Sequence, residues 1–245
     1  MLNKQSFCRM LDATTISPLA TKQDMEDLIQ LAHEHEFFSV IGPRCFVPLL
    51  VEGVKGTNTI AGSGCCGDDG CEPGYIKAYA AADSIRLGAQ EIDMVINLHY
   101  LKSGMYEEAI ADIRAVKDAI GDHRLKCIIE SPVLTDEEIA IASQIVIDGG
   151  ADYIKTSIGG GHVATVHQVE IISRVNQGRL GIKASGGIRD LETVERMIDL
   201  GVTRFGIGLT SAFKIIESMK LMLSTQMPKR PIWMLSLLRK TMKVL

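Results

Sequence analysis

Along the 245-residue chain, short runs of apolar and β-branched residues recur, most followed by a stretch whose apolar positions return every three or four residues. The strand candidates are FCRMLDAT (7–14), FFSVIG (37–42), NTIAGSG (58–64), EIDMVIN (91–97), LKCIIES (125–131), ADYIKTS (151–157), LGIKASGG (180–187) and TRFGIG (203–208). Helical stretches lie between them. One starts at a capping Thr21, one ends at Gly121, one runs from Thr135 to Gly149, and one runs from Asp190 to Gly201. Several strands are apolar nearly throughout, as parallel strands buried on both faces are. This alternation predicts an α/β protein of the (β/α)8 TIM-barrel class, a single domain over residues 1–225 with a tail over 226–245. A doubly wound open sheet is the other reading, but no GxGxxG follows the first strand.

Composition narrows the function. A formal net charge of −4 argues against a nucleic-acid partner, which calls for a basic balance. No run reaches the ~18 apolar residues of a spanning helix. The N-terminal segment lacks a signal peptide's hydrophobic region, so a cytoplasmic protein with no membrane partner is expected. Six cysteines in a chain of this length are read as thiols, with Cys8 and Cys127 as small core residues. A homo-oligomer, a dimer by preference, is also expected.

In a barrel of this class the active site is built at the C-terminal ends of the strands. The polar residues falling there are Asp12, Asp93, Asn97, Lys126, Glu130, Lys155, Thr156, Lys183 and Ser185. Asp93, Lys155 and Lys183 stand out because apolar residues flank them in strands that should be buried. Charges so placed must pair or shift their pKa. An ion-pair layer inside the barrel is the plain reading. The preferred one notes that the two lysines fall on adjacent strands, where each disfavours the other's protonation. One of them can then be a free amine near neutral pH, able to form a Schiff base with a carbonyl compound. An aspartate nearby can move protons directly or through water. Two lysines and an aspartate so arranged are the parts of a class I aldolase.

The segments LDATTISPLAT, EIDMVIN, LKSGMYEEAIADIRAV, LKCIIES, ADYIKTSIG and GIKASGGIRDLE, in this order, resemble the deoxyribose-phosphate aldolase family, over residues 10 to 215 or so. The resemblance implies a barrel and reversible cleavage of 2-deoxy-D-ribose 5-phosphate to glyceraldehyde 3-phosphate and acetaldehyde, with no metal or other cofactor. It implies that Lys155 is the Schiff-base lysine, Lys183 the lysine that lowers its pKa, and Asp93 the aspartate of the proton relay. Asp12 and Thr14 match residues lining the site, Lys126 a supporting lysine, and Gly159, Gly186 and Gly187 backbone positions near the substrate phosphate. Thr156, beside the first lysine, is counted with the substrate-binding residues.

Several loops depart from the family pattern. GIGLTSA puts Gly208 and Leu209 where family members carry serines in GTSSG, and KTSIGGG puts Ile158 where KTSTG has threonine. GSGCCGDDGCEPGYIKAYAA is longer than the usual GFPLGANTTEVKAFEA, and IGPRCF replaces a CVNPSY-like segment. Iminium chemistry with an altered grip on the phosphate end is therefore expected. A related aldolase for another short sugar, phosphorylated or not, and a non-catalytic sugar-phosphate-binding paralogue are the alternatives.

For Cys65, Cys66 and Cys71 three uses stay open: a zinc site, a redox disulfide, or a plain substrate-facing loop. The Cys-Cys-x4-Cys spacing without a histidine does not suit zinc. The preferred reading is the loop, with Asp68 or Asp69 binding a hydroxyl. His162 is either a solvated loop residue or a proton relay, and Arg189 either caps its loop or reaches an anionic substrate group. The tail, MPKRPIWMLSLLRKTMKVL, reads as packing on the barrel or a partner subunit in preference to a membrane surface.

Overall fold

The Thr21, Thr135 and Thr165 side chains each accept from the backbone N–H three residues on, and Asp24, Glu138 and Gln168 reach back to the cap N–H. These reciprocal caps start three of the helices that cover the barrel, at residues the sequence marks. In this computed structural model, which describes residues 2–226, the helices are α1 Lys4–Cys8, α2 Lys22–His35, α3 Val47–Gly53, α4 Gly74–Arg86, α5 Leu98–Lys102, α6 Tyr106–Ile120, α7 Asp136–Asp148, α8 Val166–Asn176, α9 Leu191–Asp199 and α10 Leu209–Gln226. The strands are β1 Asp12–Thr14, β2 Ser39–Gly42, β3 Ile60–Gly64, β4 Glu91–Val95, β5 Arg124–Ile128, β6 Tyr153–Lys155, β7 Gly181–Ser185 and β8 Val202–Gly206.

All eight strands are parallel and pair in chain order. A parallel bridge between Leu11 and Phe205 brings the first strand against the last. This is the (β/α)8 architecture, in one domain. No described helix is long and apolar enough to cross a membrane. The basic tail beyond Gln226 lies outside the described residues.

Alternation along each strand splits the residues into two sets. Ala13, Val40, Ala61, Ile92, Met94, Cys127, Ile154, Ile182 and Phe205 join the apolar core between sheet and helices. The other set faces the barrel axis and is largely ionic: Asp12, Glu91, Asp93, Lys126, Lys155, Lys183 and Arg204 are all buried. The strands thus read as apolar on one face only.

Several strand runs are shorter than the sequence pattern, those at 125–131 and 151–157 ending at Ile128 and Lys155, and two change type. The run 7–14 contains the end of α1, whose Asn3–Ser6 capping box turns Phe7 and Cys8 into a helix, so that β1 begins at Asp12. The run 91–97 ends as a strand at Val95, because the Asn97 side chain accepts from the His99 and Tyr100 N–H groups and starts α5.

The loop after β3 is laid directly on the end of β4. Gly70 adopts φ +61°, and a Cβ there would meet the carbonyl oxygens of Val95 and Ile96. Gly70→Ala is expected to cost about 1–3 kcal/mol and to lower the melting temperature by several degrees. An unchanged melting temperature would mean that the loop is free of β4.

Candidate active site

Strand register determines which charges meet. Asp93 is opposite Lys126, and Lys155 is directly opposite Lys183. A register shift between Ile182 and Lys183 brings Lys183 opposite Arg204. Both oxygens of Asp93 are used: Oδ2 accepts from Lys155 Nζ at 2.6 Å and Lys183 Nζ at 3.0 Å, and Oδ1 from Lys126 Nζ at 3.1 Å. Below it, Asp12 Oδ2 is 2.6 Å from Lys183 and 3.2 Å from Lys126, and Glu91 is 2.5 Å from Lys126. Arg204 pairs with Asp12 and Glu91 and lies over the Phe38 ring, 3.5 Å from its centroid. The ion-pair layer and the lysine–lysine–aspartate site are one structure.

Charge balance selects the group that can lose its proton. Four buried cations (Lys126, Lys155, Lys183 and Arg204) face three buried anions (Asp12, Glu91 and Asp93), and the half-exposed Arg124 reaches Glu91 at 3.3 Å from the layer's edge. Burial opposes ionisation of Asp93, but Lys126, Lys155 and Lys183 outweigh it and hold the carboxyl well below its usual range. The neighbouring carboxylates likewise overcome burial and raise Lys126 and Arg204. Lys155 goes the other way. Burial above all, with the Lys183 charge, lowers it from 10.5 to about 8 despite Asp93. Loss of the Lys155 proton leaves the layer neutral.

Lys155 also opens into two cavities at the C-terminal mouth. One, of about 260 Å³, runs over β2, β3 and β4 and includes Thr14, Ile41, Arg44, Ser63, Cys66 and Asp93 in its lining. The other, of about 440 Å³, runs over β6, β7 and β8 past Lys183, Ser185, Gly159, Gly186, Gly187 and Gly208. Thr14, Ile16, Asp68 and Ile158 line both. Glycines of the loops after β6 and β7 and of the end of β8 form part of the second cavity's wall, beside Ser17, Lys183 and Ser185, and α10 begins just beyond Gly208. Such a wall offers N–H groups to an anion or to hydroxyls.

Of the residues singled out in the sequence, Thr14, Asp68, Asp93, Gly159, Lys155, Lys183, Gly186 and Gly187 line the cavities. Asp12 and Lys126 lie beneath them in the ion layer. Four others do not line either cavity. Thr156 is buried and ties β6 to β7, its Oγ1 donating to the Ser185 carbonyl and accepting from the Ser185 N–H. Asp69 accepts from the Cys71 N–H at 3.1 Å and sits 3.7 Å from His99. His162 Nδ1 is 2.8 Å from Glu130, a buried carboxylate that also accepts from Ser157 Oγ and the Ile158 N–H. Arg189 is exposed. Asp69, Cys71 and Glu72 bring ligand atoms within 4.8 Å of one another on an exposed turn, without Cys65 or Cys66.

Glu91 and Arg204 are the members of the layer that the sequence reading missed. The signal for both was an ionisable residue in an apolar run, EIDMVIN and TRFGIG. Arg44 and Ser63 also emerge only as cavity walls, while Cys66 lines the first cavity as the substrate-facing reading of its loop expects.

Fold and geometry together define a TIM barrel with a candidate active site at its C-terminal mouth. A profile of DeoC/LacD family aldolases matches residues 47–216. The deoxyribose-phosphate aldolase of Staphylococcus carnosus is 38% identical over 215 residues, which cover 87% of this chain and 97% of that protein. Among solved structures, an aldolase designated QR15 has a TM-score of 0.82 at 29% identity, covering 92% of this chain and 100% of the other. The deoxyribose phosphate aldolase of Aeropyrum pernix, described as tetrameric, shares the fold at 24% identity, with a TM-score of 0.77 and coverage of 89% and 92%. The chain belongs to the DeoC/LacD family of aldolases and is an enzyme of the lyase class.

The charge-balance account gives paired predictions for the pH at which Lys155 becomes nucleophilic. Glu91→Gln removes an anion and should lower that midpoint by about one unit, whereas Arg204→Gln removes a cation and should raise it by about as much. Each should also cost about 3–5 kcal/mol of stability, because a buried partner is left unpaired. The midpoint is read from the rate of reductive trapping against pH, and shifts of the same sign in both variants would contradict the account.

Proposed function

We propose that this enzyme is a class I aldolase that cleaves 2-deoxy-D-ribose 5-phosphate to glyceraldehyde 3-phosphate and acetaldehyde through a Schiff base on Lys155. One observation carries the reading: a lysine amine lowered to about 8 stands 2.6 Å from Asp93 where two cavities meet. The name of the Staphylococcus carnosus relative supports the substrate.

The chemistry follows from the geometry. The neutral amine of Lys155 attacks C1 of the open-chain sugar, and loss of water leaves an iminium. The C3 hydroxyl then gives up its proton, the C2–C3 bond breaks, and its electron pair moves to the nitrogen as an enamine. Glyceraldehyde 3-phosphate leaves. Protonation at C2 and hydrolysis release acetaldehyde and the amine. Asp93, kept ionised by three lysines, is the nearest acceptor to pass protons to and from these positions, directly or through water. Lys183 holds Asp93 from the far side and disfavours a second positive charge on Lys155. We assign the glycine-walled cavity to the phosphate end, where backbone N–H groups of Gly186, Gly187 and the start of α10 replace the serines of relatives. Thr210 and Ser211 do not line it. Thr14 and Asp68, at the junction, are assigned to the sugar hydroxyls.

Self-association fits the same reading. Tyr75 and Tyr79, one turn apart on α4, are largely exposed, and we assign this face to contact with a second copy of the chain.

Borohydride with acetaldehyde should trap an adduct on Lys155, located by peptide mass, and Lys155→Ala should abolish it. Because the folded pKa is lowered, the reactive free amine is a minority of about a tenth at pH 7, and the trapping rate should rise through pH 8 to a plateau. Turnover should favour 2-deoxyribose 5-phosphate over 2-deoxyribose. Preference for the unphosphorylated sugar would move the assignment to a related substrate, and absence of any adduct would refute the Schiff base.

A further inference from the structure

Cys66 is half-buried and lines the same cavity as Asp93 and Lys155. Its Sγ accepts from the Val95 N–H at 3.1 Å and lies 3.7 Å from the Val95 carbonyl, and its chain neighbour Cys65 is a buried free thiol. Behind them stands Lys77, fully buried, with Nζ 2.6 Å from Asp112 and 3.3 Å from the Val95 carbonyl. The neighbouring Cys65 thiol, then the Lys77 charge and the Val95 N–H, lower the Cys66 thiol against the opposing effect of burial. The same pairing, with burial, raises Cys65. Cys66 is the more readily ionised of the two. Cys8 and Cys127 are buried in the apolar core, and Cys45 and Cys71 are exposed outside the cavities.

We propose that Cys66 is a peroxide-sensitive thiol built into the wall of the catalytic cavity, with Cys65 resolving it into a reversible disulfide. The Cys66 sulfur attacks one oxygen of hydrogen peroxide, the O–O bond breaks, and hydroxide leaves, giving a sulfenic acid. The Cys65 sulfur then displaces the sulfenic oxygen as its own proton is lost, and the S–S bond forms. Two thiols give up two electrons and two protons, and one peroxide becomes two waters. A bond between chain neighbours departs from relaxed disulfide geometry, which makes it easily reduced and suits a reversible switch.

The location couples this chemistry to catalysis. The Cys65 N–H donates to the Asp93 carbonyl at 3.3 Å, and Cys66 Sγ takes the N–H of Val95 two residues on. Drawing Cys66 Sγ toward Cys65 removes the Val95 contact and disturbs the end of β4 that holds Asp93.

The test uses the whole reduced protein and hydrogen peroxide. Aldol cleavage should fall by about ten-fold and return with dithiothreitol, and the peptide spanning Cys65 and Cys66 should lose its two thiol hydrogens. In Cys65→Ser, dimedone should label Cys66 and dithiothreitol should restore less of the activity lost to peroxide. In Cys66→Ser, whatever its starting activity, peroxide should leave the rate unchanged. Cys45→Ser and Cys71→Ser should respond as the natural chain does. A disulfide through Cys45 or Cys71, absence of dimedone label on Cys66, or full peroxide loss in Cys66→Ser would overturn the proposal. Label and mass are read without turnover, so they stand apart from the Schiff-base assignment.

Discussion

Three lysine ammonium positions around one buried carboxylate are tenable only if the charges nearly cancel. Asp93 supplies both of its oxygens, Asp12 and Glu91 supply two more anions below, and Arg204 adds a fourth cation. Unpaired charges at this depth would cost several kcal/mol each. The barrel interior, which many proteins of this fold fill with branched apolar residues, is here given to a network with one cation in excess. The excess falls on Lys155, the member that borders both cavities, so the demand for neutrality and the lowered pKa of this amine have one origin.

Around this rigid centre the mouth is built from contrasting walls. Glycine backbone forms part of the β6 to β8 side, where a polar or anionic group meets N–H donors. Side chains of varied chemistry, Arg44, Ser63, Cys66 and Asp68, form the β2 to β4 side. The loop after β3 supplies Cys66 and Asp68 and is pinned to β4 by Gly70, Cys65 and Cys66. Despite its exposed tip, its base is hydrogen-bonded to the Asp93 carbonyl.

Much of this was legible in the chain. Lys155, Lys183 and Asp93 announce themselves as charges in apolar runs, and capping threonines mark where helices begin. Parts that depend on register or local competition were not. Glu91 and Arg204 enter the layer only once the strands align, because periodicity does not say which face of a strand looks inward. Asp68 and Asp69 are neighbours with equal claims on paper, yet a turn engages Asp69 with the Cys71 N–H and leaves Asp68 at the cavities. His162 is similarly engaged by Glu130, whose carboxylate also accepts from Ser157 and the Ile158 N–H in the loop after β6. Near the N-terminus, the Asn3–Ser6 capping box prevails over a run that reads as strand.

The central claim is that the barrel's own charge layer, in the absence of substrate, lowers the Lys155 amine from its ordinary value to about 8. The most direct test is site-resolved acylation: brief exposure of the native protein to acetic anhydride across a pH series, with the rate at Lys155 read by peptide mass. The account predicts half-maximal reactivity near the lowered value of about 8. A midpoint at the ordinary lysine value of 10.5 would contradict it.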